Sequence, residues 1–323
     1  MINIFYYFKY KLCNIFLIIT STCCGLLICY IKEKEMLKNS FSHIYGIGPK
    51  IERRLWDQMI LDWDTFFLKN EIQISKAKNK IISEELKKSK EALLNNNHNY
   101  FSKNLPVNQH WRLFREFKNN VAYIDIETTG LSWGFHIITT IALYDGIKIK
   151  YYVNGDNLEQ FKTDIQDYDL LITYNGKCFD IPFIEAFFKI KLNHSHIDLR
   201  YVLHSLGYKG GLKGCEKQFG LARNDLEEVD GFLAIFLWKE YKKTNNPKAL
   251  ETLLAYNIED VINLEYLMYA AYNLKLNETP FFNLLKLDIP SRPQNQFNPD
   301  LKLINKVRQE VFVSLRMTIS LGD

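Results

Sequence analysis

The sequence predicts an α/β protein: a mixed sheet flanked by helices, with a smaller helical module in front of it. Three observations predict this class. Between residues 119 and 275, short apolar runs rich in β-branched and aromatic residues alternate with stretches of helical periodicity. The first three of these runs follow one another with only turns between them, as antiparallel strands do. The fourth follows a helical stretch, as a parallel strand does. Residues 36–117, by contrast, read as a succession of helices.

The 323 residues suffice for one large domain plus a smaller one. A net charge of +4, from 41 basic and 37 acidic side chains, permits a nucleic-acid partner without arguing for one. Four of the six cysteines (Cys13, Cys23, Cys24, Cys29) fall in the first 30 residues, and only Cys178 and Cys215 lie beyond. There is no CxxC pair, so neither a zinc ribbon nor a disulfide framework is indicated. The body of the chain reads as reduced and intracellular, hence cytoplasmic.

Residues 1–35 are a hydrophobic leader. Residues 12–31 form an uncharged, mostly apolar run long enough to cross a bilayer, with Lys9 and Lys11 before it and Lys32 and Lys34 after it. Taken literally, this is a membrane anchor without a cleavage site. Its richness in Ile, Phe, Tyr, Asn and Lys favours another expectation, that the working protein starts at Met36. A membrane partner is expected only if residues 1–35 are translated and retained.

The helical module spans 36–117. Gly46-Ile47-Gly48-Pro49-Lys50 opens it as a tight turn feeding a helix, with Pro49 suited to the first helical position. Such a turn can present backbone N–H groups to an anion. It resembles the hairpin of a helix-hairpin-helix element, which implies phosphate contact at Gly46, Gly48 and Lys50. The alternative is a packing unit built on Leu55, Trp56, Ile60, Trp63 and Phe66. Residues 72–94 read as a long helix with a solvated Lys face, and 110–117 as a short helix leading into the sheet.

In the body, the first strand runs into Asp125-Ile126-Glu127-Thr128-Thr129-Gly130-Leu131. Asp125 and Glu127, at i and i+2, project from the same face of that strand. Two such carboxylates repel each other and are costly to desolvate, which a divalent cation would relieve. Strands at 136–144 and 147–153 follow, joined by Asp145-Gly146 as a tight hairpin turn. A helix at 157–165 leads to a short fourth strand at 169–173. A helix at 179–190 with Pro182 in its first turn leads to a short strand at 196–199. Helices at 199–206, 211–219, 231–242 and 248–274 complete the body. Asp180 stands where a helix begins, a common place for an N-cap. Tyr256 and Asp260, at i and i+4, share a face of the last long helix, beside an apolar stripe. The 276–323 tail is rich in Pro and Asn up to residue 300, then reads as one amphipathic helix over 301–317.

These motifs carry a resemblance. Asp125-Ile126-Glu127-Thr128-Thr129-Gly130, Tyr174-Asn175 through Phe179-Asp180-Ile181-Pro182, and Tyr256-x-x-x-Asp260 are similar, in that order, to the three motifs of the tyrosine-type DEDD 3′–5′ exonucleases. With His110-Trp111-Arg112-Leu113-Phe114, Asp230-Gly231 before Leu237-Trp238, and Tyr256-Asn257 with Glu259-Asp260, the chain more narrowly resembles the YprB-like RNase H-like proteins over residues 41 to about 275. The resemblance implies an RNase H-like mixed sheet, three antiparallel strands followed by parallel ones. It also implies a metal-dependent exonuclease. Asp125, Glu127, Asp180 and Asp260 would hold two Mg²⁺ or Mn²⁺ ions, about 3.5–4 Å apart in such sites, and Tyr256 would orient the attacking water. Thr128 and Leu131 would touch the terminal nucleotide, Asn175 sugar or phosphate, Lys177 a phosphate, and Phe179 a base. The implied partner is nucleic acid with single-stranded or frayed 3′ ends, and no small-molecule cofactor is expected. A catalytically weak nucleic-acid-binding protein and a related endonuclease are the alternatives on the same fold.

Overall fold

The computed structural model describes residues 16–22, 25–31, 35–132 and 134–320. In the leader, β1 (Phe16–Thr22) and β2 (Gly25–Ile31) pair antiparallel, and the rest of residues 1–34 lies outside the described residues. No helix among the described residues is long and apolar enough to cross a membrane.

The module contains α1 (Pro49–Asp57), α2 (Trp63–Leu68), α3 (Lys76–Leu94), α4 (His98–Asn104) and α5 (Phe114–Phe117). Gly48 caps α1 with Pro49 at its first position, and Gly46 takes the positive φ of 77° that favours glycine. The element before this loop is a three-residue 3₁₀ helix, Leu37–Asn39. A capping box fixes the start of α2: Thr65 N donates to Asp62 Oδ1 at 2.7 Å, and Asp62 N to Thr65 Oγ1 at 2.9 Å. The short helix expected over 110–117 is instead a 3₁₀ stretch, Val107–Leu113, running into α5. Leu55, Trp56, Ile60, Trp63 and Phe66 are buried, in one apolar cluster with Tyr123 and Ile172 of the sheet and Leu267 of the last long helix. Arg112 ties the module together from within. It donates to Glu52 Oε1 at 2.9 Å and Oε2 at 2.8 Å, with both side chains buried.

The sheet has five strands: β3 (Val121–Thr128), β4 (Ile138–Tyr144), β5 (Ile149–Val153), β6 (Leu170–Thr173) and β7 (Ser195–Asp198). Their order is β5-β4-β3-β6-β7, antiparallel from β5 to β3 and parallel from β3 to β7. The mixed sheet expected from the sequence is therefore present, with β3 at its centre. Three details differ from expectation. The β4–β5 turn holds four residues rather than two. Asp145 Oδ1 accepts from Ile147 N at 2.8 Å and Lys148 N at 2.6 Å, and Gly146 takes φ 85°. β4 starts at Ile138 because His136 N turns back to donate to Ser132 O at 3.1 Å. The helix expected over 157–165 is broken into 3₁₀ turns flanking α6 (Phe161–Asp164).

Around the sheet lie α7 (Asp180–Phe188), α8 (Leu199–Ser205), α9 (Gly211–Gln218), α10 (Gly231–Thr244) and α11 (Pro247–Asn277), followed by α12 (Phe282–Leu285) and α13 (Leu301–Ser320). Strand alternation divides β3 between two apolar layers. Ala122, Ile124 and Ile126 pack with Phe183 and Ile184 of α7 on one side. Val121 and Tyr123 pack on the other, with Ile258, Val261 and Ile262 of α11. Asp125 and Glu127 continue the α11 side.

Candidate active site

β3 and α11 bring the first two and the last of the motif carboxylates together. Asp125, Glu127 and Asp260 each offer a carboxylate oxygen, and these oxygens lie within 4.8 Å of one another. The ladder breaks between Glu127 and Thr128, so the strand bends away just past its second carboxylate. Asp180 adjoins the group, close enough for its charge to act on Asp125 and Glu127. It is the first residue of α7 rather than its cap, since Phe179 holds the cap position without a side-chain bond. The Asp180 carboxylate instead accepts from Ile126 N at 3.3 Å, which ties α7 to β3 between Asp125 and Glu127. Tyr256 lies one helical turn before Asp260 on α11 and is 7% exposed.

Burial and mutual repulsion dominate the electrostatics. Burial, then the charges of Asp260 and Asp180, hold Asp125 and Glu127 well above the usual carboxylate range. Burial pushes Asp180 up to about 7. It pushes Asp260 to about 6, against the pull of Arg223. Burial and then Asp260 and Glu127 also raise the Tyr256 phenol well above its ordinary value, which keeps it neutral.

Several residues beyond the expected catalytic set shape the site, and of these only Asn257 stood within a motif. Asn257, fully buried on α11, donates through Nδ2 to Asp125 Oδ2 at 2.6 Å, and its Oδ1 accepts from Thr140 Oγ1 at 3.0 Å. Arg223 is buried beside Asp260. It donates to Glu216 through Nε at 2.5 Å and through Nη2 at 2.7 Å, and Asn263 Nδ2 also donates to Glu216 at 2.8 Å. Arg223 Nη2 lies 2.5 Å from Asp260 Oδ1, and the guanidinium stands 5.5 Å from the centre of the Tyr256 ring. That charge contact lacks hydrogen-bond alignment, so Asp260 Oδ1 and Arg223 Nη1 are buried polar atoms without hydrogen-bond partners. Lys213 Nζ, 5.8 Å from the centre of the Tyr256 ring, is held by the carbonyl oxygens of Glu227 and Val229. No local pattern marked Glu216 and Arg223, which lie in a stretch that also holds Lys213, Lys217 and Gln218.

The loop between β6 and α7 is fixed by Asp198, another residue without a motif. Its carboxylate accepts from Asn175 N at 2.7 Å and Lys177 N at 3.1 Å, which holds Asn175 at φ 67°. Gly176 must lack a side chain, because a Cβ there would stand 2.3 Å from Thr173 Oγ1. Gly130 is constrained in the same way by the His136 ring, 2.4 Å from its Cβ position.

The expected nucleic-acid contacts are placed unevenly. Leu131 is exposed beyond the end of β3, whereas Thr128 is buried and donates to Gly130 O at 2.7 Å. Asn175 is half-buried and its side-chain oxygen accepts from Arg200. Lys177 Nζ lies 3.3 Å from His110 Nδ1, half-buried between the sheet and the module. Phe179 packs on Phe183 with ring centres 5.6 Å apart. Gly46, Gly48 and Lys50 are exposed on the module, at the start of α1.

The donor set fits a hard divalent cation: like-charged carboxylate oxygens close together, buried on Glu127 and Asp260 and half-buried on Asp125. Asp125, Glu127 and Asp260 would form the core of such a centre, with Asp180 adjacent.

Residues 122–272 match the RNase H superfamily. The uncharacterized protein YprB of Bacillus subtilis (strain 168) is 29% identical over 175 residues, which cover 46% of this chain and 40% of YprB. The match thus spans less than half the length of that relative. Two solved structures are more distant. The family B DNA polymerase from the hyperthermophilic archaeon Pyrobaculum calidifontis aligns at 16% identity over 52% of this chain and 27% of the polymerase, with a TM-score of 0.37. A nuclease in its apo form aligns at 19% identity over 50% of this chain and 75% of the nuclease, with a TM-score of 0.36. Residues 122–272, which contain the five-stranded mixed sheet, are thus similar to the RNase H superfamily, and the chain is similar to YprB over part of its length.

Proposed function

We propose that this chain is a metal-dependent 3′–5′ exonuclease that hydrolyses phosphodiester bonds of DNA or RNA by a two-metal mechanism. The observation that carries the reading is the convergence of Asp125, Glu127 and Asp260 within 4.8 Å, with Tyr256 one helical turn from Asp260. Magnesium or manganese ions bound there would supply Lewis acidity to the phosphodiester and lower the pKa of the attacking water. The protein's own groups do the rest. Asn257 fixes the orientation of the Asp125 carboxylate, and the Ile126 amide fixes that of Asp180. Tyr256, held neutral, orients the attacking water by hydrogen bonding rather than taking its proton. Thr128 and the exposed Leu131 border the place for a terminal nucleotide, in keeping with a single-stranded or frayed 3′ end.

A second reading has its own observation. The Arg223 contact with Asp260 neutralises part of the cluster internally, as a metal-independent nucleic-acid-binding protein would. One experiment separates them: end-labelled DNA and RNA incubated with the purified full chain, with and without Mn²⁺. Stepwise shortening from the 3′ end, abolished by Asp125→Ala and by Asp260→Asn, is expected. Activity that survives both substitutions would refute the site. Binding without shortening would favour the second reading, and cuts in a circular substrate would favour an endonuclease.

A further inference from the structure

The loop that carries Asp180 has a second side. Between it and the start of α9 lies an open groove with a volume of about 500 Å³. Arg200, His204 and Lys209 line it together with the phenol rings of Tyr174 and Tyr208, and no carboxylate lines it. Its floor is backbone: Gly210 and Gly211 take φ of 101° and 73°. A Cβ on Gly211 would meet nothing within 4 Å, so the chain there is bare toward the open space. The basic residues are not consumed by the fold. His204 and Lys209 are exposed, and Arg200 reaches across to the side-chain oxygen of Asn175, which also lines the groove. Tyr208 is braced from behind by Phe219, its ring stacked with a centroid separation of 4.4 Å. Tyr174 is braced through its hydroxyl, 3.7 Å from Cys215 Sγ.

A groove lined by basic side chains, with the nearby Asp198 carboxylate already engaged by the amides of Asn175, Lys177 and Arg200, selects anionic ligands. Rigid aromatic rings beside that charge select ligands that also carry planar bases. The volume is of the order that holds a nucleotide-sized group. Asn175 belongs both to this groove and to the 174–180 loop, so whatever the groove holds is coupled through five residues of chain to Asp180 at the carboxylates. We propose that the groove is a subsite for a polynucleotide strand. It holds the phosphate and base of a nucleotide other than the one at Asp125, Glu127 and Asp260. This rests on the nuclease reading of the carboxylate site, and it assigns Arg200, His204, Lys209 and Tyr208 to the grip on the strand. The open shape and the link to the cutting site favour a polymer over a free mononucleotide.

The test uses the full chain carrying Asp125→Ala, in chelator, with fluorescently labelled single-stranded 12-nucleotide DNA and RNA followed by anisotropy across a salt series. Lys209→Ala and Arg200→Ala are each expected to weaken binding about tenfold at low salt. Each should also reduce the log–log salt slope by about 0.7, one phosphate contact on a single strand. Mn²⁺ binding, read by electron paramagnetic resonance in the Asp125-containing chain, should be unchanged by either substitution, and thermal melting should remain within a few degrees. His204→Ala provides a second exposed variant. Unchanged strand affinity in all three would overturn the proposal. Adenosine monophosphate bound as tightly as the 12-mer, and lost in the same variants, would replace a strand subsite with a mononucleotide site. Groove-dependent strand binding in a wild-type chain that shortens no polymer would remove the exonuclease reading and leave the groove.

Discussion

Asn257 holds Asp125 twice: its Nδ2 donates to the carboxylate Oδ2 at 2.6 Å and to the backbone carbonyl of the same residue at 3.2 Å. One buried amide on α11 thus sets both the rotamer of a β3 carboxylate and the distance between helix and strand. Replacing it with Leu leaves Asp125 and Thr140 without their partner. The expected cost is about 1–3 kcal/mol of stability, measured by urea denaturation. Mn²⁺ affinity should fall about 10- to 100-fold, as for other residues that orient a ligand from behind. Unaltered Mn²⁺ affinity would show that the amide serves packing only.

Arg223 is the one guanidinium buried against the cluster among the described residues. Met at this position removes a competing cation from Asp260 and leaves Glu216 buried with Asn263 as its remaining partner. The metal-free protein should lose several kcal/mol, since breaking one side of a buried pair costs about 3–5 kcal/mol. Saturating Mn²⁺ should recover part of the loss, narrowing the gap in melting temperature between variant and wild type. A gap that is the same with and without metal would place Arg223 in the scaffold alone.

The raised carboxylates predict a pH-dependent response to metal. A carboxylate whose folded pKa lies above its unfolded one stabilises the fold fully at pH below the unfolded value. That stabilisation is lost as pH rises through the folded value. For Asp260 and Asp180 the loss spans about 4 to about 6 and 7, and Asp125 and Glu127 are shifted in the same direction. The metal-free protein therefore carries more of this repulsion at pH 8 than at pH 5.5. The rise in melting temperature on adding Mg²⁺ or Mn²⁺ should be larger at pH 8 than at pH 5.5. Asp125→Asn should reduce that difference. Equal rises at both pH values would count against a carboxylate centre.

Arg112 and Glu52 make a bidentate pair inside the module, and Glu52 Oε1 also accepts from Phe41 N at 2.7 Å and Ser42 N at 3.0 Å. Arg112→Met strands a buried carboxylate and should cost about 3–5 kcal/mol. Because the module shares an apolar cluster with the sheet, unfolding should remain a single transition. Two separated transitions in calorimetry would mean that the module melts as a unit of its own.

What the sequence made legible were features with local periodicity. Asp125 and Glu127 announce themselves because charge two residues apart in an apolar strand has one geometric meaning. Tyr256 and Asp260 do so because four residues make one helical turn. Asp180 was ambiguous, since Asp at a helix start is usually a cap, and only the bond from Ile126 N removes that ambiguity. Arg223 and Asp198 were not legible, and Asn257 was legible only as a motif residue beside Tyr256, not as the partner of Asp125. Each acts through a partner 23 to 132 residues away in sequence or, for Arg223, across two elements that no local pattern connects. The β4–β5 turn failed for a different reason: the carboxylate of Asp145 can bridge two successive amides, which favours the longer turn over the two-residue one.

The segment after α12, to which the sequence assigned no role, grips α11 at the turn that carries Tyr256 and Asp260. Asn295 Nδ2 donates to Ala255 O at 2.8 Å, Arg292 pairs with Glu259, and Asp300 N donates to Thr252 Oγ1 at 3.0 Å. The helix is therefore clasped on its outer side at three successive turns while its inner side faces the carboxylates. Rotation of α11 by even a fraction of a turn would carry Asp260 away from Asp125, and these outer bonds oppose that rotation. Residues 292–300 thus work as a torsional lock, and changes there would alter the alignment of Tyr256 and Asp260 with Asp125 and Glu127.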